Sequence, residues 1–282
     1  MYETQAGPDP VVGQAAWQAK LGTWREVYLP RQLPVKKIGV AYIVPLIMLG
    51  LVLALFAATG LLSTSFGVIF VAFFVGVLVI ALIRLLRASK AGQSTAQLHL
   101  FDDGLVVRTH EGAALAYRWD DTELLRRGID HRSVAGSVHT YTYTLLRRGL
   151  PVVILGDRGD DPLAMLANNV DFNAPGGIVR TASFMYPEVW GAAIEDRITR
   201  TRLPQAEAAL AAGNTVPFGP VAVGPQGAVI NGKQVPWNQL SKVKVHDGTI
   251  TVKSEGKLMG AAVPVSHVPN FRVFLALVDR PR

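Results

Sequence analysis

Three patterns of apolar and polar positions follow one another along this 282-residue chain, and each predicts a different kind of element. Residues 1–37 are mixed. Gly7-Pro8-Asp9-Pro10 reads as irregular, and Val11 to Leu21 as a short helix with Trp17 and Leu21 on one face. Trp24, Tyr28, Pro30 and Pro34 come next. Aromatics placed there either sit at a membrane interface or pack on the domain that follows. From Ile38 to Ile83 the chain then runs 46 residues without Asp, Glu, Lys, Arg or His. A spanning helix needs about 20 apolar residues, so this run predicts two, over 38–58 and 66–86. Thr59-Gly60 and Ser63-Thr64-Ser65 supply the turn between them.

After Lys90 the period shortens to that of half-buried strands. Leu98–Phe101, Leu105–Thr109 and Ala114–Trp119 are separated by turns at Asp102-Asp103-Gly104 and Glu111-Gly112. Val138–Leu146 and Pro151–Leu155 flank Arg147-Arg148-Gly149. Asp160–Phe172 reads as a short helix and Pro187–Arg202 as a longer one, interrupted by Pro204 and resuming over Gln205–Ala212. A second, shorter copy of the strand pattern follows. Pro220–Val223, a Pro225-Gln226-Gly227 turn, Ala228–Ile230, the hairpin turn Asn231-Gly232 and Gln234–Trp237 repeat the run from Leu98 to Trp119. Both copies read strand, turn ending in Gly (Gly104, Gly227), strand, turn, and strand ending in Trp-Asp or Trp-Asn (Trp119-Asp120, Trp237-Asn238). Lys242–His246, Asp247-Gly248 and Thr249–Lys253 form one more hairpin, followed by Leu258–Val265 and a helix over Asn270–Val278.

The fold class this predicts is α+β: an N-terminal arm (1–37), a two-helix transmembrane hairpin (38–86) and two antiparallel β modules (95–213 and a short 214–282), each closed by a C-terminal helix. The two Gly-to-Trp strand pairs and the helices beginning at Pro187 and Pro269 resemble the pleckstrin-homology-like superfold of bacterial membrane proteins. Together with Leu21-Gly22, Tyr28 and the two spans, the chain is similar to uncharacterised bacterial two-span proteins with a tandem cytoplasmic region of that kind. The resemblance implies a strongly bent sheet closed by a helix, and it carries no activity.

Charge orients this scheme. The formal net charge is +7 and the sequence pI about 9.8. Arg31, Lys36, Lys37, Arg84, Arg87 and Lys90 flank the apolar run and hold all but one of the excess charges. Basic flanks mark the cytoplasmic side, which predicts an integral inner-membrane protein with both termini cytoplasmic. It also removes a nucleic-acid partner, because the rest of the chain is almost neutral. With no ionisable group inside either span, the hairpin anchors rather than conducts.

Little chemistry is legible. Absence of cysteine excludes disulfides, thiolate metal sites and a cysteine nucleophile. His99, His110, His131, His139, His246 and His267 show no metal-ligand spacing. Asp102-Asp103, Asp120-Asp121 and Asp160-Asp161 sit at turns and a helix start, where Asp is favoured for local hydrogen bonding. No nucleotide-binding or hydrolase motif is present. The expectation is a non-enzymatic scaffold or adaptor without cofactor or metal, presenting its modules for protein or lipid recognition at the membrane face. The alternatives are an accessory subunit of a membrane complex or transport system, or an enzyme of unrecognised class. Its partners would be the bilayer, an unknown protein and anionic headgroups. The cations expected to touch lipid phosphate or an acidic partner are Lys36, Lys37, Arg84, Arg87, Lys90, Arg126, Arg127, Arg147 and Arg148, with Arg132 beside them. The bland reading of the module arginines is a solvated strand face meeting Asp120, Asp121 and Asp157.

Overall fold

The computed structural model describes residues 7–31, 50, 73, 76, 80, 95–133, 136–156, 177–181, 183–254 and 261–280. The chain divides into two compact units: residues 1–29 with 95–282, and residues 30–94. Helix α1 (Pro10–Gln18) starts where Asp9 accepts a hydrogen bond from the Val11 amide at 2.9 Å, with Pro10 pre-set in the first turn. It buries Val12 and Ala16 against Phe101 and Val106, whereas Trp17 is 80% exposed. Leu21 reaches the same small cluster because the chain turns through Lys20 at φ 54°.

Strand β1 (Trp24–Tyr28) pairs with β2 (Gln97–Phe101), followed by β3 (Gly104–Arg108) and β4 (Ala114–Arg118) in one antiparallel sheet. A second sheet holds β5 (Glu123–Ser133), β6 (Gly136–Leu146) and β7 (Val152–Leu155), with β8 (Ile178–Arg180) parallel to β7. Alternate residues Leu98, Leu100, Leu105, Val107 and Tyr117 face a core shared with Tyr143, Leu145, Val153 and Leu155. Helix α2 (Pro187–Ala211) closes that core with Trp190, Ile194 and Ile198. Gly191 lets it approach closely, since a Cβ there would collide with the Tyr143 ring.

The second module repeats this plan without an equivalent of β8. Strands β9 (Val216–Phe218), β10 (Val221–Gly224), β11 (Gly227–Ile230) and β12 (Lys233–Pro236) form its first sheet. Strands β13 (Leu240–His246), β14 (Thr249–Ser254) and β15 (Ala261–Pro264) form the second, and α3 (Phe271–Val278) closes the core with Phe274 and Leu277. In this copy β9 and β10 are joined by Gly219-Pro220 alone. In the first copy residues 30–94 are inserted at the corresponding hairpin, between β1 and β2, and Tyr28 is the register partner of Leu98.

The Gly–Trp skeleton is a physical lock present twice. The Trp119 amide donates to Asp103 O at 3.0 Å and its indole Nε1 to Asp102 O at 2.9 Å. The Trp237 amide donates to Gln226 O at 3.2 Å and its Nε1 to Pro225 O at 2.9 Å. Each glycine is paired with the residue before its tryptophan, Gly104 with Arg118 and Gly227 with Pro236. A Cβ on Gly104 would strike the Tyr117 carbonyl, and one on Gly227 the Val235 carbonyl. Only glycine lets the backbones close on each other at these points.

Two expectations are corrected by particular elements. Pro204 does not divide the helix: α2 runs unbroken through it. Ile198 lies in the first core, while Leu203, Ala206 and Leu210 pack on the second, so burial on both sides of the proline outweighs one missing backbone bond. No alternation announces strand β5, since Leu124-Leu125-Arg126-Arg127 places like residues side by side. The helix expected over 160–172 lies outside the described residues.

The membrane architecture is corrected as well. Among the described residues, no helix is long and apolar enough to cross a membrane. Helices α1 and α3 have nine and eight residues, and the 25-residue α2 carries Glu188, Glu195, Asp196, Arg197, Arg200, Arg202 and Glu207. The described fold is therefore β-rich with three helices. It contains no two-helix transmembrane hairpin, and it gives no support to an integral inner-membrane localisation. The run that prompted both expectations, 38–86, lies outside the described residues except for Gly50, Phe73, Gly76 and Ile80.

Candidate functional site

Polar chemistry concentrates where the two modules meet. Glu195, on α2, is 7% exposed, and its carboxylate is held from both sides. Arg126 Nη1 of β5 lies 3.1 and 3.2 Å from its two oxygens, and Arg272 Nε of α3 lies 2.5 Å from Oε2. The Arg126 guanidinium also sits 5.0 Å from the centroid of the Tyr141 ring and 5.7 Å from that of Phe271. Beside this cluster the Leu124 amide donates to Asn270 Oδ1 at 2.9 Å, and the Asn270 amide returns a bond to Leu124 O at 2.9 Å. Asn270 reaches both because it is left-handed, at φ 50°, a conformation asparagine tolerates. One carboxylate and one amide side chain thus bind β5, α2 and α3 into a single body.

The expected cation cluster is dispersed. Lys36, Lys37, Arg84, Arg87 and Lys90 lie outside the described residues. Arg126 is committed to Glu195, and Arg127, the next residue on β5 and the register partner of Thr142, is half-buried. Arg147 donates to Ala116 O at 3.1 Å and lies 2.7 Å from the Asp121 carboxylate. Arg148 is exposed in the turn between β6 and β7. Arg132 is on β5 opposite Ser137. No common anion pocket follows from these positions.

The acidic pairs serve the scaffold. Arg118 grips Asp120 at 2.9 and 2.8 Å and holds its carboxyl below the usual range, while another of its nitrogens reaches the Ala19 and Lys20 carbonyls. Asp102, 2.6 Å from Arg25 Nε, is held low for the same reason. Asp160 and Asp161 lie outside the described residues. Among the described residues no group of three or more His, Asp or Glu is placed to hold a metal ion.

Among the described side chains His99 is the one buried histidine, 3% exposed on β2. Its Nε2 is 3.0 Å from Gln97 Oε1, and its Nδ1 has no partner. Burial pushes its pKa down to about 4; Asp9 opposes that shift and Arg108 adds to it. In the unfolded chain the ring titrates near its ordinary 6.5, so between those values only the unfolded state binds the proton. Stability should therefore fall as pH drops from about 6.5 to 4, by up to about 3 kcal/mol. Urea denaturation at stepped pH should show this slope, and His99→Phe should flatten it.

A second cationic feature was legible only as lysine density. Five lysines, at 233, 242, 244, 253 and 257, fall within 25 residues that hold only two acids, Asp247 and Glu255. Three of them, Lys242, Lys244 and Lys253, fall on the β13–β14 hairpin, where Lys242 is the register partner of Lys253. Lys244, Val245 and His246 are exposed on β13, and His246 Nδ1 lies 3.0 Å from the Asp247 carboxylate at the turn. Strand β13 ends its sheet, with β14 as its only strand partner among the described residues.

Comparison with known proteins places one match on this half of the chain. The model of a family of unknown function (DUF6585) matches residues 177–282, from β8 through α2 and the whole second module. No curated protein and no solved structure matches the chain, so the likeness to the pleckstrin superfold gains no support from either.

Proposed function

We propose that the chain is a non-enzymatic recognition scaffold that presents two copies of one β module, in fixed relation, to a protein partner. The observation that carries this reading is the junction. Helix α2 passes through both cores, and Glu195 and Asn270 tie β5 to α3, so the modules present one continuous surface. Preorganisation of this kind lowers the entropy cost of engaging a partner at two places. Two of the module arginines that suggested headgroup binding are engaged within the fold: Arg126 on Glu195 and Arg147 on Asp121. That favours a protein partner over lipid.

Affinity purification of the full chain from its own cells, followed by size exclusion and quantitative mass spectrometry, tests the reading. The expected result is one protein partner in fixed ratio that stays bound through the column. A chain that elutes without partner and turns over substrates in a hydrolase and transferase panel would overturn it.

A further inference from the structure

We infer that the outer edge of β13 takes an extended acidic peptide as an added strand. This rests on the recognition reading and gives it a site and a partner chemistry.

The turn sets which backbone groups are free. Asp247 and Gly248 both have positive φ, 47° and 67°, the signature of a two-residue type I′ hairpin. The flanking residues His246 and Thr249 then exchange their backbone bonds across the turn, and bonding alternates along the strand. Lys244 turns its amide and carbonyl toward β14. Val243 and Val245 turn theirs outward, away from the sheet.

The same edge in the first module is occupied. There the amide and the carbonyl of Leu124, on β5, both point outward, and Asn270 takes both at 2.9 Å. β5 and β13 hold the same place in their modules, each entering the second sheet just after the lock tryptophan. The fold therefore uses this edge as a docking rail once within its own chain. In the second copy no strand among the described residues pairs along it.

Charge selects the occupant. On β13 Lys244 is exposed, and Lys242 and Lys253 are register partners in the same hairpin, which concentrates positive charge along this strand pair. Lysine on an edge strand opposes pairing with a second copy, which would bring the same charges together. An incoming strand with Glu or Asp at alternate positions complements Lys244 while supplying main-chain bonds to Val243 and Val245.

A fluorescein-labelled eight-residue peptide alternating Glu with Val and Thr, titrated against the full chain by fluorescence anisotropy, provides the test. The expected result is saturable binding that weakens with salt, with none for the peptide carrying Lys in place of Glu. Val245→Pro removes an outward amide while leaving the ladder to β14 intact, and should weaken binding roughly tenfold. Lys244→Glu should weaken it comparably, and Lys244→Arg should preserve it. Hydrogen exchange on the wild type gives a readout independent of variants: the Val243 and Val245 amides should become protected when peptide is added.

Unchanged exchange at both amides, or equal binding of a scrambled peptide of the same composition, would overturn the site. So would peptide affinity that Val245→Pro leaves unaltered. If the purified partner of the preceding test stays bound to Val245→Pro, the edge is not its site although recognition stands. If no partner exists, the recognition reading itself fails.

Discussion

Trp119→Ala should cost the first module about 4 kcal/mol, the usual range for deleting a buried indole. The side chain is 2% exposed and fills the first core beside Tyr117 and Leu105. It also carries the Nε1 bond that fixes the Asp102 carbonyl and so holds the Asp102-Asp103-Gly104 turn against β4. Trp237→Ala removes the corresponding group from the second copy, but Trp237 is only half-buried, so its loss should be clearly the smaller. Trp119→Phe keeps most of the core volume and drops the bond, for a cost nearer 1 kcal/mol. Urea midpoints for the three variants check the order. Equal losses at 119 and 237 would mean that the lock does not depend on burial. Gly104→Ala should resemble Trp119→Ala, since the added methyl meets the Tyr117 carbonyl and Leu21.

Glu195→Ala should have the second-largest effect, and of a different kind. Removing the carboxylate leaves Arg126 and Arg272 facing each other without an anion, at a cost of about 3 kcal/mol. The arginines are partly open to water, with 23% and 44% of their side chains exposed, which keeps the value at the low end for a broken buried pair. The cluster is the charged part of the contact between β5, α2 and α3, so its loss should also uncouple the modules. Calorimetry should then show two melting transitions where the wild type shows one. Glu195→Gln keeps hydrogen bonds without charge and should fall between. A single transition at an unchanged midpoint would remove the junction from any role in fixing the modules.

Most strands could be read along the chain because their causes are local. The Asp102-Asp103-Gly104, Asn231-Gly232 and Asp247-Gly248 turns announce themselves by residue type, and short β-rich runs flank them. The Gly–Trp repeat was visible for the same reason, and each copy proved to contain the same pair of hydrogen bonds from its tryptophan. Nothing local announces strand β1, whose partner β2 lies beyond residues 30–94, because no local pattern records so distant a pairing. Arg126 and Arg127 are neighbours in sequence yet point to opposite sides of β5, as adjacent residues of a strand do. The partner of Arg126 is on α2 and that of Arg147 beside β4, distances in sequence that composition does not encode. At β13 the lysines were in plain view, but their meaning depended on knowing that the strand ends a sheet.

By itself the sequence determined the turns, the alternation, the duplicated module and the uncharged run from Ile38 to Ile83, since each arises from neighbours along the chain. Tertiary structure alone decided that α2 survives Pro204, that Glu195 and Asn270 join the modules, and that one sheet edge is filled while its counterpart has no strand partner among the described residues. Those outcomes depend on which surfaces meet after collapse, where burial outweighs local propensity and a charge is defined by the partner it finds.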